Sequence, residues 1–217
     1  ELGFPSFGSC YAKAPFDTIG DTLRGTKGII LDMRRRPEKL LAALDVVAKI
    51  TIDVTVETLN ATRGQVALFP LHKGADGWMS EEHFETFYWP TLKRVVDGLI
   101  EEGIMPTLFA EGGFETRLAR VNEFPKGAVN WLFDRTHMGK AKKALGDRCC
   151  ISGNVPSSLL ATGSPREVKD YSRKVIELCS EGGGFILAAG TNSVEGSNID
   201  NLRAMVEAAA EYGVYAK

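Results

Sequence analysis

The chain has 217 residues, 44% hydrophobic and 25% charged, which is the balance of a globular chain and excludes disorder, collagen-like repeats and coiled coil. With 26 Lys and Arg against 28 Asp and Glu, the formal charge of −2 supplies no field to hold nucleic acid or an anionic membrane, so the expected partner is a small-molecule substrate at a local site. The most apolar runs, 65–71 and 184–190, fall far short of the roughly 20 residues of a membrane span, and no signal segment opens the chain, which reads as cytoplasmic.

The first residue is Glu1 rather than Met, and the chain reads as a piece of something longer. Residues 1–63 are expected to be a helical lead-in with no strand. Two short helices are read over Pro15–Leu23 and Gly28–Arg35, and a longer one over 37–62 with Leu40, Leu41, Leu44, Val47 and Ala48 on its apolar stripe. The basic run Arg34-Arg35-Arg36-Pro37 reads as a solvated helix junction, with contact to carboxylates or a partner as the alternative.

From residue 64 to 217 the pattern changes to five β-α units. Strands are predicted at 65–71, 104–110, 128–133, 148–153 and 184–189, each followed by a helix. Ser80 before Glu81-Glu82 opens a helix with Phe84, Phe87, Val95 and Leu99 inward, Gly103 as its stop and a kink expected at Pro90. A short helix over 136–145 closes at Gly146. In Ser164-Pro165-Arg166-Glu167 the serine caps, proline takes the first helical position and Glu167 completes a capping box. That helix is expected to bury Val168, Tyr171, Val175 and Leu178, and a last one near 198–212 to bury Leu202, Met205, Val206 and Ala209. Cys10, Cys149, Cys150 and Cys179 have neither metal spacing nor disulfide density and read as reduced thiols.

Alternation of this kind calls for an α/β fold with a parallel sheet. Five units suit an open doubly wound sheet and are too few for a closed (β/α)8 barrel, which takes about 250 residues. In either architecture the active site lies at the carboxyl ends of the strands, so the polar residues there are the candidates. They are His72 and Lys73, Glu111 before Gly112-Gly113, Asp134 and Arg135, Asn154, and Thr191 and Asn192. His72 suits a base, a metal ligand or a hydrogen-bond donor, or else a strand-end histidine bonded to loop backbone. Glu111 suits a metal ligand or an acid or base whose pKa rises if dry, or else a helix cap. Asp134 has a cap and a surface ion pair with Arg135 as its alternative roles. No G-x-G-x-x-G, P-loop, H-E-x-x-H or nucleophile elbow is present.

At Asp21-Thr22-Leu23-Arg24-Gly25, Cys150-Ile151-Ser152-Gly153-Asn154-Val155-Pro156, Gly163-Ser164-Pro165-Arg166-Glu167-Val168, Gly183-Gly184-Phe185-Ile186-Leu187 and Asn201-Leu202-Arg203-Ala204-Met205, the sequence resembles the uroporphyrinogen decarboxylase superfamily. The resemblance spans about residues 14–215 and implies a TIM (β/α)8-barrel-type domain, incomplete here because roughly the first three strands are missing. It implies two chemistries. One is cofactor-free decarboxylation of uroporphyrinogen or another carboxylic acid, in porphyrin metabolism, with Lys73, Arg135 and the glycine turns holding carboxylates. The other is methyl transfer to or from a corrinoid (cobalamin) on a partner protein, often with zinc activating a thiol. Decarboxylases of this superfamily carry an N-terminal arginine-rich segment and an early aspartate for substrate, neither of which is read in this chain, and a Gly-His-Gly turn after the last strand, where this chain has Gly190-Thr191-Asn192. Coenzyme M methyltransferases carry His-x-Cys and a later Cys where this chain has Phe109-Ala110-Glu111 and Thr191. The expectation is therefore a methyltransferase-branch member with Glu111, His72 and Asp134 catalytic and Lys73, Arg135, Asn154, Thr191 and Asn192 binding substrate. Zinc would sit on Glu111 and His72. A non-catalytic subunit, completed by another chain or by a second copy, is the remaining alternative.

Overall fold

A computed structural model describes residues 8–191 and 193–214. It divides into two compact units, one up to Phe109 and one from Ala110. The first opens with a short strand, β1 (Ser9–Tyr11), which runs parallel to β2 (Val66–Leu71) with Ser9 opposite Val66 and Tyr11 opposite Leu68. Between them lie α1 (Pro15–Asp17), a π-helical turn over Thr18–Leu23, α2 (Gly25–Arg35) and α3 (Pro37–Thr62). β1 corrects the expectation of a strandless lead-in. It is three residues long and mostly exposed, too short to show the alternation that marks a strand.

The long helix is where its stripe puts it. Of its stripe Leu40, Leu44 and Ala48 are buried and Leu41 and Val47 half-buried, with Leu59 buried further along, each fully buried leucine contributing about 1.5–3 kcal/mol. After β2 come α4 (Glu81–His83), a π-helical stretch Phe84–Tyr88 and α5 (Trp89–Glu101), which abut without a gap. Ser80 caps the start by accepting from the His83 amide. The wide turn ends just before Pro90, with the Trp89 amide donating to the Phe84 carbonyl, so the irregularity expected at the proline takes the form of a π turn. Next to β2 in sheet order is β3 (Met105–Ala110).

In the second unit β3 leads to a loop with a single 3-10 turn, Glu115–Arg117, and not to the α-helix expected after every strand. Then follow β4 (Asn130–Phe133), α6 (Met138–Leu145), β5 (Cys150–Val155), α7 (Ser157–Thr162), α8 (Pro165–Cys179), β6 (Phe185–Ala189) and α9 (Ile199–Tyr212). β4, β5 and β6 pair in parallel, in chain order. The capping box of α8 is complete, with Ser164 and Glu167 exchanging both bonds.

Two helix faces depart from the sequence reading. On α8, Val168, Ser172, Val175, Ile176 and Cys179 are buried, while Leu178 stays 43% exposed. On α9 the buried residues are Asn201, Ala204 and Ala208, with Leu202 and Met205 packed at the side and Val206 exposed. Small residues let α9 lie close on its neighbours, and the Asn201 amide donates to the carbonyls of Leu160 and Gly163, satisfying the end of α7. Six parallel strands in chain order with intervening helices, among the described residues, make an α/β succession of incomplete (β/α)8-barrel type.

Candidate functional site

In the first unit β2 delivers His72 and Lys73 onto two aspartates that stand four residues apart across the π-helical turn. Asp17 is fully buried and accepts three bonds, from the His72 amide (3.1 Å), the Lys73 amide (2.9 Å) and the Tyr88 hydroxyl (2.6 Å). It thereby fixes the main chain at the strand end. Asp21 takes the side chains. One oxygen accepts from His72 Nδ1 at 2.7 Å and from Lys13 at 3.4 Å, and the other pairs with the Lys73 ammonium. An Asp21 carboxylate at Nδ1 sets the tautomer that carries its proton there and orients the ring.

The surroundings force these pairings. Lys73 is only 8% exposed at its side chain, and its Nζ lies 5.7 Å from the centroid of the Trp78 ring, which in turn meets Phe16 edge-on. Gly20 and Gly74 leave the room. A Cβ on Gly20 would come within 2.8 Å of Lys73 Cε, and one on Gly74 within 2.7 Å of the buried Tyr88 ring. Burial pushes the Asp17 carboxyl up, against the three donors that favour its charge. Burial also acts to raise Asp21, but the hydrogen bonds and charges of Lys73 and His72 outweigh it and hold its pKa at about 2. Burial, reinforced by the Asp17 charge, keeps Tyr88 protonated far above the usual phenol range. Asp17, Asp21 and Tyr88 escaped the sequence reading as site residues. Two carboxylates four apart among Phe16, Ile19 and Gly20 were the available signal.

In the second unit the strand ends are tied by backbone. Asp134 Oδ2 accepts from the Gly112 amide at 3.0 Å, and the Arg135 amide donates to the Gly112 carbonyl at 3.2 Å, so the turn that carries Glu111 is knotted to the end of β4. Gly112 there has φ +83°, a conformation that favours glycine. Asp134 is thus no helix cap. Its contact with the Arg135 guanidinium, 3.7 Å long with that side chain 81% exposed, is the surface ion pair held open as an alternative. Asn154 is buried, and its amide donates to the carbonyls of Asp134 (3.0 Å) and Thr136 (2.9 Å) while its oxygen accepts from the Tyr171 hydroxyl (3.1 Å). Thr191 Oγ1 accepts from the Ser193 amide in a local turn, and Asn192 lies outside the described residues.

His72 and Lys73 are therefore brought together in one cluster, and Asp134, Arg135 and Asn154 in another. Among the described residues no group of three or more His, Cys, Asp and Glu side chains that could hold a metal ion is found, and the His72 ring and the Lys73 ammonium are both bonded to Asp21.

A family model described as uroporphyrinogen decarboxylase (URO-D) matches residues 8–212. The chain belongs to the URO-D family. Similar curated relatives of this URO-D chain are uroporphyrinogen decarboxylases, one from Saccharophagus degradans, 24% identical over 194 residues, and one from Azoarcus sp., 26% identical over 169 residues. These alignments cover 86% and 73% of this chain but 51% and 45% of the relatives, so the URO-D chain spans about half their length. A solved structure titled methyltransferase from Methanosarcina mazei superposes with a TM-score of 0.82 at 18% identity, covering 98% of this chain and 61% of its own. That likeness shows the fold of the URO-D chain.

Proposed function

We propose that this URO-D family chain serves methyl transfer between a small organic substrate and a corrinoid carried by a partner protein, with His72 handling the proton. The observation that carries this reading is the charge balance around His72. Asp21 pairs with the ammonium groups of both Lys13 and Lys73, and Asp17 holds the main chain of His72 and Lys73. Such a strand end offers no surplus positive charge for the acetate carboxylates of uroporphyrinogen. The name of the methyltransferase of like fold supports the same choice.

The corrinoid, when docked, supplies the methyl-carrying cobalt. What the chain's own residues contribute is proton control. Taking a methyl group from an ether or thioether leaves an alkoxide or thiolate that needs a proton, and methylating a thiol releases one. A histidine held by a carboxylate at Nδ1 can do either at its other nitrogen.

Methylcobalamin and a small thiol incubated with the protein should lose the cobalt methyl group, read in the visible spectrum, and His72→Gln should slow the loss by roughly 10²–10⁴-fold. Carbon dioxide release from uroporphyrinogen, with methylcobalamin untouched, would overturn the proposal in favour of decarboxylation. No turnover of either would overturn it in favour of a non-catalytic subunit.

A further inference from the structure

The second unit also contains a cavity of about 300 Å³ between α6 and α8, at the low end of the size range of ligand pockets. Its lining mixes apolar and basic side chains: Met138, Val175 and Leu178 with Arg135, His137 and Lys174, and Asn154 and Tyr171 locked together by the 3.1 Å bond between them.

The lining carries surplus positive charge. Glu115 is the one carboxylate in the lining, and it is spoken for: Oε2 pairs with Lys140 at 2.6 Å, outside the cavity, and Oε1 accepts from the His137 amide at 3.2 Å. The Lys140 hydrogen bond lowers the Glu115 pKa, outweighing burial, with smaller help from the His137 amide, so the negative charge stays with that lysine. Arg135 has only the 3.7 Å contact to Asp134, and among the described residues Lys174 has no carboxylate at ion-pair distance. His137 does not compete, because its Nδ1 accepts from the Lys140 amide at the start of α6. Leu178, which the helix pattern points inward, lines this cavity and is 43% exposed.

The geometry points to a binding site for a small carboxylate with a short apolar body, such as an aromatic or branched-chain acid. Arg135 and Lys174 take the carboxylate, Arg135 with its planar fork, and Met138, Val175 and Leu178 cover the body. The site shares Arg135 and Asn154 with the second-unit cluster and no residue with the His72 cluster, so its test reads out separately from methyl transfer.

Benzoate titrated into the full chain by calorimetry is the test, with inorganic phosphate as the comparison anion. Saturable benzoate binding that weakens with salt is expected, falling about tenfold or more in Arg135→Ala, whose exposed side chain the fold does not need. Leu178→Trp, which fills the cavity from an exposed position, should abolish binding while the thermal melt stays unchanged. The inference is overturned if benzoate fails to bind at millimolar concentration, if both variants bind it as the parent does, or if phosphate binds as tightly as benzoate.

Discussion

Asp21 is the residue on which charge at the strand end turns. In the folded chain its pKa is about 2 against an ordinary 3.8, so its contribution to stability is complete above pH 4 and drains away as pH falls through that interval towards 2. Allowing for solvent screening of a carboxylate 20% exposed, the contribution is about 1 kcal/mol. Asp17 works in the opposite sense. Its raised pKa means that the fold loses stability as pH climbs through the value of the unfolded chain. Asp21→Asn is expected to shrink the acid limb of a urea-unfolding series between pH 4 and 2 by about 1 kcal/mol, and to cost roughly 2–4 kcal/mol at pH 7 by leaving Lys73 buried without its partner. An acid limb of unchanged size in the variant would contradict this assignment. At this scale the sequence was legible for His72 and Lys73, because strand-end position is readable from an apolar run. It was silent on their partners, which lie more than fifty residues away in the chain.

Elements were readable to the extent that their signals are local. Helix starts at Ser80 and Ser164 are written in a few adjacent residues, and both caps form. Ser164→Ala should therefore cost about 1 kcal/mol in chemical unfolding, from the lost bond to the Glu167 amide, with a flat result excluding the box as a stabiliser. Faces were less readable than boundaries. Leu202, Met205 and Val206 outrank alanine in hydrophobicity, yet α9 packs through Ala204 and Ala208, because the distance to a neighbouring helix is decided by tertiary packing and not by the residue's own transfer energy. β1 is lost to inspection for a related reason. Three residues paired to a distant strand carry no period of their own.

Across the whole molecule the α/β class and the order of strands follow from alternation alone, whereas membership of the URO-D family rests on motifs spread over the chain. Its thiols probe each unit separately. Cys10 belongs to the first unit and Cys149 and Cys179 to the second, and burial raises all three, Cys149 and Cys179 to about 11. At pH 8 a thiol reagent should label Cys149 and Cys179 about a hundredfold or more slowly in the native chain than in denaturant, with equal rates sinking the burial described for them.

The division of labour between Asp17 and Asp21 has a consequence for how this strand end can change over time. One aspartate sets where the backbone of His72 and Lys73 lies, and the other sets the charge their side chains carry. Position and chemistry are thus held by separate letters of the sequence. A lineage can rewrite the reactivity at the mouth of β2 by exchanging Asp21, His72 or Lys73, and the buried carboxylate at 17 keeps the scaffold still while it does so.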